Sequence, residues 1–174
     1  MARKPRDAVF TTALWDGNSK IADFEKHLNR LAKHAERLRI TLPENFDQLI
    51  AQAIIDIDEK YNHNRLLNIT FDCVEGVFLT KSRDLPKLRN CNLDSATIPM
   101  KKWLGQVTGT KHGDWQFYLE AKDLAEQNGV DIALLIDDFC IIDGDRAAIV
   151  VIDEDGVAYT CLLYTSPSPR DSFR

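Results

Sequence analysis

The chain has 174 residues, enough for one ordinary domain or two small ones with a sizeable core. Its 44% hydrophobic and 28% charged residues exclude a disordered chain and a membrane-embedded one, since no apolar run approaches the ~20 residues that a span requires. A net charge of -5 without a polybasic block argues against nucleic acid as the main partner, and the basic opening Met1 to Asp7 leads into a strand-like stretch instead of a signal-peptide core, which points to the cytoplasm.

Ala8 to Trp15 is rich in aromatic and β-branched residues and is followed by Asp16-Gly17, so a strand and a turn open the chain. Between Asp23 and Arg39, Phe24, Leu28, Leu31, Ala35 and Leu38 recur at helical spacing, and His27, Arg30, His34 and Arg37 share the flank beside that apolar stripe. Pro43 starts a second helix with Phe46, Leu49, Ile50, Ala53, Ile54 and Ile57 on its buried side. Arg65 to Phe71 and Val77 to Thr80 read as strands. Ser82 to Gly109 has two prolines and little periodicity, and is expected to be an irregular connection with a turn of helix near Met100 to Leu104. Gly113-Asp114 then offers a helix start and Asn128-Gly129 a helix stop, with Phe117, Ala121, Leu124 and Ala125 between them as the apolar face. Ile132 to Ile136, Cys140 to Ile142, Ala147 to Ile152 and Val157 to Thr160 follow as short strands of a β-meander. The expected division is an N-terminal α+β domain over residues 1–81, a connection over 82–109, and the start of a β-rich domain over 110–160.

Residues 161–174 are set apart from this pattern. Cys161 to Asp171 reads CLLYTSPSPRD, the translation of a transposase sequencing-adapter end and its usual continuation, so the expectation is a non-native tail with no packed place and a native sequence cut off after Thr160. The cysteines Cys73, Cys91, Cys140 and Cys161 lie far apart, and the histidines lack metal-ligand spacing, so neither a metal nor a disulfide framework is expected. Cys73 and Cys140 have the apolar neighbours of buried thiols.

Three features carry candidate chemistry. Lys111 lies in Gly109-Thr110-Lys111-His112-Gly113, where small neighbours leave room for a cofactor and a following helix N-terminus would favour the neutral amine that Schiff-base chemistry needs. On residue types alone the alternative is a solvated loop lysine. Arg30, with His27, His34 and Arg37, forms a cationic ridge suited to phosphate, or else a solvated helix face paired with acids such as Glu36. Asp143-Gly144-Asp145 is either a carboxylate site or a hairpin turn, and turn chemistry accounts for it without further assumption.

The opening Asp7-Ala8-Val9-Phe10-Thr11-Thr12, the segment His27-Leu28-Asn29-Arg30-Leu31 and the block GTKHGDWQFYLEAKDLAEQNGVDIALLID from Gly109 to Asp137 together resemble the class IV aminotransferases. These fold-type IV pyridoxal-phosphate enzymes include branched-chain aminotransferase, D-amino-acid aminotransferase and aminodeoxychorismate lyase. The run from Lys111 to Tyr159-Thr160 also resembles the family's spacing, so the likeness spans nearly all of the chain up to Thr160. It implies a two-domain α+β architecture with an incomplete second domain. It implies pyridoxal 5'-phosphate as cofactor, Lys111 as the imine-forming lysine and Arg30 as the phosphate ligand. Because the two residues fall in different expected regions, a cofactor in an interdomain cleft follows. Asp143-Gly144 stands where the family has Glu-Gly, making Asp143 the counterpart of the carboxylate on the pyridine nitrogen, one methylene shorter. Ala148 falls at a family Asn position, and Asp114-Trp115 departs from the family's Asn patterns.

The functional expectation is transamination between an amino acid and a keto acid by a homodimeric full-length parent, the fragment itself being inactive. The alternatives are an aminodeoxychorismate lyase, towards which Lys111-His112 leans, and a catalytically inactive relative serving as a binding module. An unrelated α+β domain is the remaining reading.

Overall fold

The computed structural model describes residues 3–85 and 92–160. Cys91, Cys161 and the expected exposed tail lie outside them. The chain divides into two compact units, Met1–Leu88 with Thr110–Asp114, and Arg89–Gly109 with Trp115–Arg174.

The first unit is built on an antiparallel sheet of three strands, β1 (Ala8–Trp15), β2 (Arg65–Asp72) and β3 (Val77–Asp84), in the order β1-β2-β3. Both ladders are in continuous register, with Phe10 opposite Thr70 and Thr70 opposite Leu79. The β2–β3 hairpin turns where Asp72 accepts the amides of Val74 and Glu75 on one carboxylate oxygen, a turn that its short acidic side chain templates. Helices α1 (Phe24–Leu38) and α2 (Phe46–Ile55) lie between β1 and β2 in the chain, and α1 packs on β1. Helical periodicity alone predicts α1, and its stripe of Leu28, Leu31, Ala35 and Leu38 is buried. With Val9, Trp15, Ile50, Leu67 and Ile69 these residues make the core of the unit, each fully buried large side chain contributing about 1.5–3 kcal/mol relative to exposure. In α2 only Ile50 and Ile54 are buried, while Leu49 is 40% exposed.

The segment Thr110–Asp114 belongs to this unit, although it lies beyond the expected boundary at residue 109. It runs antiparallel along the edge of β1, with a bridge between Val9 and His112, and the Phe10 amide donates to the Lys111 carbonyl at 3.2 Å. The Gly113 amide donates to the Pro5 carbonyl at 3.1 Å. An otherwise open strand edge is thereby capped by chain from far along the sequence.

The second unit differs from the expected meander. Ser95–Pro99 forms a strand, β4, inside the segment expected to be irregular, and residues 101–104 are not helical. β4 pairs in parallel with β5 (Ile132–Asp137), and α3 (Gln116–Gln127) occupies the chain between them, the arrangement that a parallel pair requires. α3 starts after Gly113-Asp114 but ends as expected, the amides of Gly129 (φ 71°) and Val130 donating to Glu126 and Ala125, a left-handed terminus that suits glycine. β5 pairs with β6 (Cys140–Gly144) across Asp138 and Phe139, both at positive φ. β7 (Val150–Ile152) and β8 (Ala158–Thr160) form a separate two-stranded sheet, so β6 does not continue into β7. The core of this unit is Tyr118, Ala121, Ala125, Ala133 and Leu135, with Trp103, Trp115 and Phe117 packed against it. The Cys140 thiol, expected to be buried, is exposed, because it adjoins the exposed turn residues Asp138 and Phe139 at the start of β6; Cys73 is half-buried.

Candidate functional site

The flank of α1 is not the solvated face that charge patterning allowed. His27 and His34 are buried, Arg30 is half-buried and Arg37 is exposed. The packing of α1 on β1 brings this flank against Thr11, itself 1% exposed. The Arg30 guanidinium donates through Nη2 to Thr11 Oγ1 at 2.6 Å and to His27 Nδ1 at 2.9 Å, and Thr11 Oγ1 lies 2.9 Å from the same nitrogen. A guanidinium has no acceptor. His27 Nδ1 therefore carries no proton, and the ring is the neutral tautomer protonated on Nε2.

One helical turn on, His34 meets the lysine segment. Its Nδ1 accepts the backbone amide of Lys111 at 3.1 Å, so this ring too is protonated only on Nε2. The Lys111 ammonium lies 5.3 Å from the centre of the Phe10 ring, within cation–π range, and the residue is half-buried. Lys111 and Arg30 thus belong to one compact unit. Lys111, expected in a different region from Arg30, joins the first unit because Thr110–Asp114 pairs with the edge of β1.

Electrostatics agree with the tautomers. Burial, then the charge of Arg30, lowers the pKa of His27 to about 4, with Asp23 opposing and Lys111 reinforcing the shift. Burial again, followed by Arg30, Lys111, Arg37 and His112, lowers that of His34 to about 4. Burial brings Arg30 itself down to about 10, still protonated at neutral pH. A fixed positive charge therefore sits between two neutral rings, and the groups that act on His34 add further positive charge.

Asp143 lies in the second unit. It and Asp145 are buried, and the Gly144 amide donates to Asp143 Oδ1 at 2.9 Å. A Cβ at Gly144 would lie 2.5 Å from the Ala147 carbonyl oxygen, so glycine is required there for a close backbone approach. The expected hairpin turn at Asp143-Gly144-Asp145 is replaced by the end of β6, because β6 and β7 belong to different sheets. Tyr118 stacks on Trp115 at 4.0 Å between ring centres and faces Trp103 at 6.1 Å. Burial, then the Asp143 charge, raises its phenol pKa. No group of three or more metal-ligating side chains occurs among the described residues.

Residue types had not singled out Thr11, Phe10 or the amide contact of His34. Both Thr11 and Phe10 lie in the opening motif, but a threonine in a strand gives no sign of its partner until a helix is laid across it.

A family model for class IV amino-transferases matches residues 8–166, extending beyond Thr160. No curated protein sequence matches the chain. Among solved structures, a candidate 4-amino-4-deoxychorismate lyase is similar at 26% identity and a TM-score of 0.68, over 88% of this chain and 63% of its own. The fold IV transaminase CpuTA1 from Curtobacterium pusillum shares the fold at 15% identity and a TM-score of 0.71, over 89% and 59%. A hypothetical aminotransferase from Mycobacterium tuberculosis in its PLP-bound form does so at 14% identity and 0.71, over 89% and 61%. The chain spans less than two thirds of the length of each of these structures. The motifs around Arg30 and Lys111, their assembly in one unit and a match over nearly the whole length show that the chain belongs to the class IV aminotransferase family.

Proposed function

We propose that this chain is the lysine-bearing portion of a pyridoxal 5'-phosphate-dependent enzyme acting on an amino acid and a keto acid. The observation that carries the reading is the assembly of Arg30, His27, His34 and Lys111 around one helix flank and one strand edge. That donor set fits the cofactor on its chemistry. A planar guanidinium at a half-buried position suits a phosphate dianion, and the cations acting on His34 make the surroundings favourable to an anion. Lys111 supplies a primary amine within the same unit.

In this reading Arg30 binds and orients the phosphate, with Thr11 and His27 fixing the guanidinium. Lys111 would hold the cofactor covalently through its amine, and that amine, when free, would move the substrate α-proton. The cofactor, when bound, would supply an electron sink for this proton transfer. Asp143 is proposed on motif position as the partner of the pyridine nitrogen, keeping it protonated. The assembly that accompanies this reading is a cytoplasmic homodimer of the full-length protein. No described helix is long and apolar enough to cross a membrane.

A lyase that forms 4-aminobenzoate and pyruvate from aminodeoxychorismate is the second reading. It is favoured by the 26% identity to a candidate lyase, against 15% and 14% for the two aminotransferases compared above. The test is to incubate the chain with pyridoxal 5'-phosphate, reduce with borohydride and map the modified peptide. Stoichiometric modification at Lys111 that is lost in Lys111→Ala is expected, and labelling spread evenly over surface lysines would remove the proposal. Pyruvate release from aminodeoxychorismate, against amino transfer between amino and keto acids, separates the two readings in the full-length protein.

A further inference from the structure

We infer that His34 is a positioning residue for Lys111: through Nδ1 it holds the Lys111 backbone amide, making α1 the spacer that sets the lysine segment relative to Arg30. Two of the bonds that fasten the segment are backbone bonds to the strand side, from Phe10 to the Lys111 carbonyl and from Gly113 to the Pro5 carbonyl. Another comes from a helix side chain, His34, at 3.1 Å. Arg30 precedes His34 by four residues on α1, one turn away on the same flank. A single rigid helix therefore carries both the anion-binding guanidinium and the anchor of the lysine.

The bond exists only while His34 is neutral. A backbone amide can only donate, so a proton on Nδ1 would set donor against donor and break the contact. The groups facing His34 are Arg30 and Arg37 from its own helix, and Lys111 and His112 from the segment packed against it. All of them oppose a positive charge on the ring or add none that would favour it. The cations that suit the site to a phosphate also keep the anchor in its accepting form. An anion beside Arg30 would weaken that opposition, so anion binding and His34 protonation are linked. The anchor itself follows from the geometry alone; its importance for catalysis rests on the reading of Lys111 as the cofactor-bearing amine.

The test needs no cofactor. In the 15N-labelled chain, the His34 imidazole should show the pattern of an Nε2-protonated neutral ring at neutral pH, and the Lys111 amide should be protected from hydrogen exchange. His34→Leu should speed exchange at Lys111 by roughly tenfold, whereas His34→Asn, whose side-chain carbonyl can stand in for Nδ1, should restore most of the protection. The Thr70 amide in the β-sheet serves as an internal control for global unfolding. An Nδ1-protonated ring in the wild-type chain would overturn the inference even if His34→Leu failed to fold. So would unchanged exchange at Lys111 in a folded His34→Leu chain, or equal loss in His34→Leu and His34→Asn. If Lys111 proves not to take pyridoxal while these results hold, the functional reading falls and the anchor stands.

Discussion

At the scale of residues, the site is governed by where a proton cannot go. His27 and His34 are held neutral with pKa values of about 4 against an ordinary 6.5. Unfolding returns both rings to water and to the ordinary value, so the unfolded chain takes up the protons first as pH falls. The stabilisation is complete above about pH 6.5 and is lost progressively towards pH 4, the sign expected of groups whose folded pKa is depressed. The urea midpoint should therefore decline between about pH 7 and about pH 5, and His27→Asn, which removes one titrating ring while keeping an acceptor for Arg30, should flatten that decline. Arg30→Ala should weaken pyridoxal 5'-phosphate binding by about 10- to 100-fold, since it removes a charge-assisted contact worth about 1.5–3 kcal/mol. Equilibrium dialysis against the cofactor measures this. A change below twofold would mean that the phosphate is held elsewhere.

At the scale of elements, the two ends of β6 make opposite predictions. The β5–β6 connection places Asp138 at φ 45° and Phe139 at φ 64°, with the Phe139 side chain fully exposed. Two consecutive left-handed residues are the signature of the tight hairpin turn for which Asp-Gly is the preferred sequence. A bulky side chain in the second place costs roughly 1 kcal/mol and packs on nothing that would offset it. Phe139→Gly should accordingly raise stability by up to about 1 kcal/mol in urea unfolding. At Gly144 the reasoning reverses, because a Cβ would lie 2.5 Å from the Ala147 carbonyl oxygen and 3.3 Å from Ile149. Relief requires backbone movement at the end of β6, where Asp143 is held, so Gly144→Ala should destabilise by about 2 kcal/mol. Gly105→Ala is the control: a Cβ there meets nothing within 4 Å, and its effect should stay within about 0.5 kcal/mol.

At the scale of the whole molecule, apolar surface is unevenly covered. In the first unit the large apolar residues of β1 and β2 are mostly buried. In the second, Val150, Val151 and Ile152 on β7 are 53–68% exposed, and Val157 and Tyr159 nearby are about half exposed. A short apolar hairpin that pairs with no other strand among the described residues is a site for association between chains. Sedimentation or light scattering should therefore show concentration-dependent self-association of this chain. Val151→Lys should reduce it without moving the urea midpoint, as expected for a side chain that contributes little to the core of its own unit. Self-association unchanged by Val151→Lys would place the sticky surface elsewhere.

Periodicity and residue type by themselves determined α1 to within a residue at each end, the first two strands of the first sheet and the end of α3, because these depend on local spacing and on terminal glycine chemistry; β3, expected over Val77 to Thr80, runs on to Asp84 because it pairs with β2 along its whole length. The motifs around Arg30, Lys111 and Asp143 were also legible as motifs. What only the tertiary structure decided were the relations between distant parts of the chain. Ser95 to Pro99 has no pattern of its own and becomes a strand by pairing in parallel with β5, a partner separated from it by a helix. Lys111 lies just over a hundred residues after Val9 and Phe10, yet its segment runs along the edge of β1. His34 reads as one more polar residue on a helix flank until that segment brings a backbone amide to its ring. Local propensity acts over a few residues, whereas the closing of a strand edge and the satisfaction of a buried donor depend on the whole folded unit.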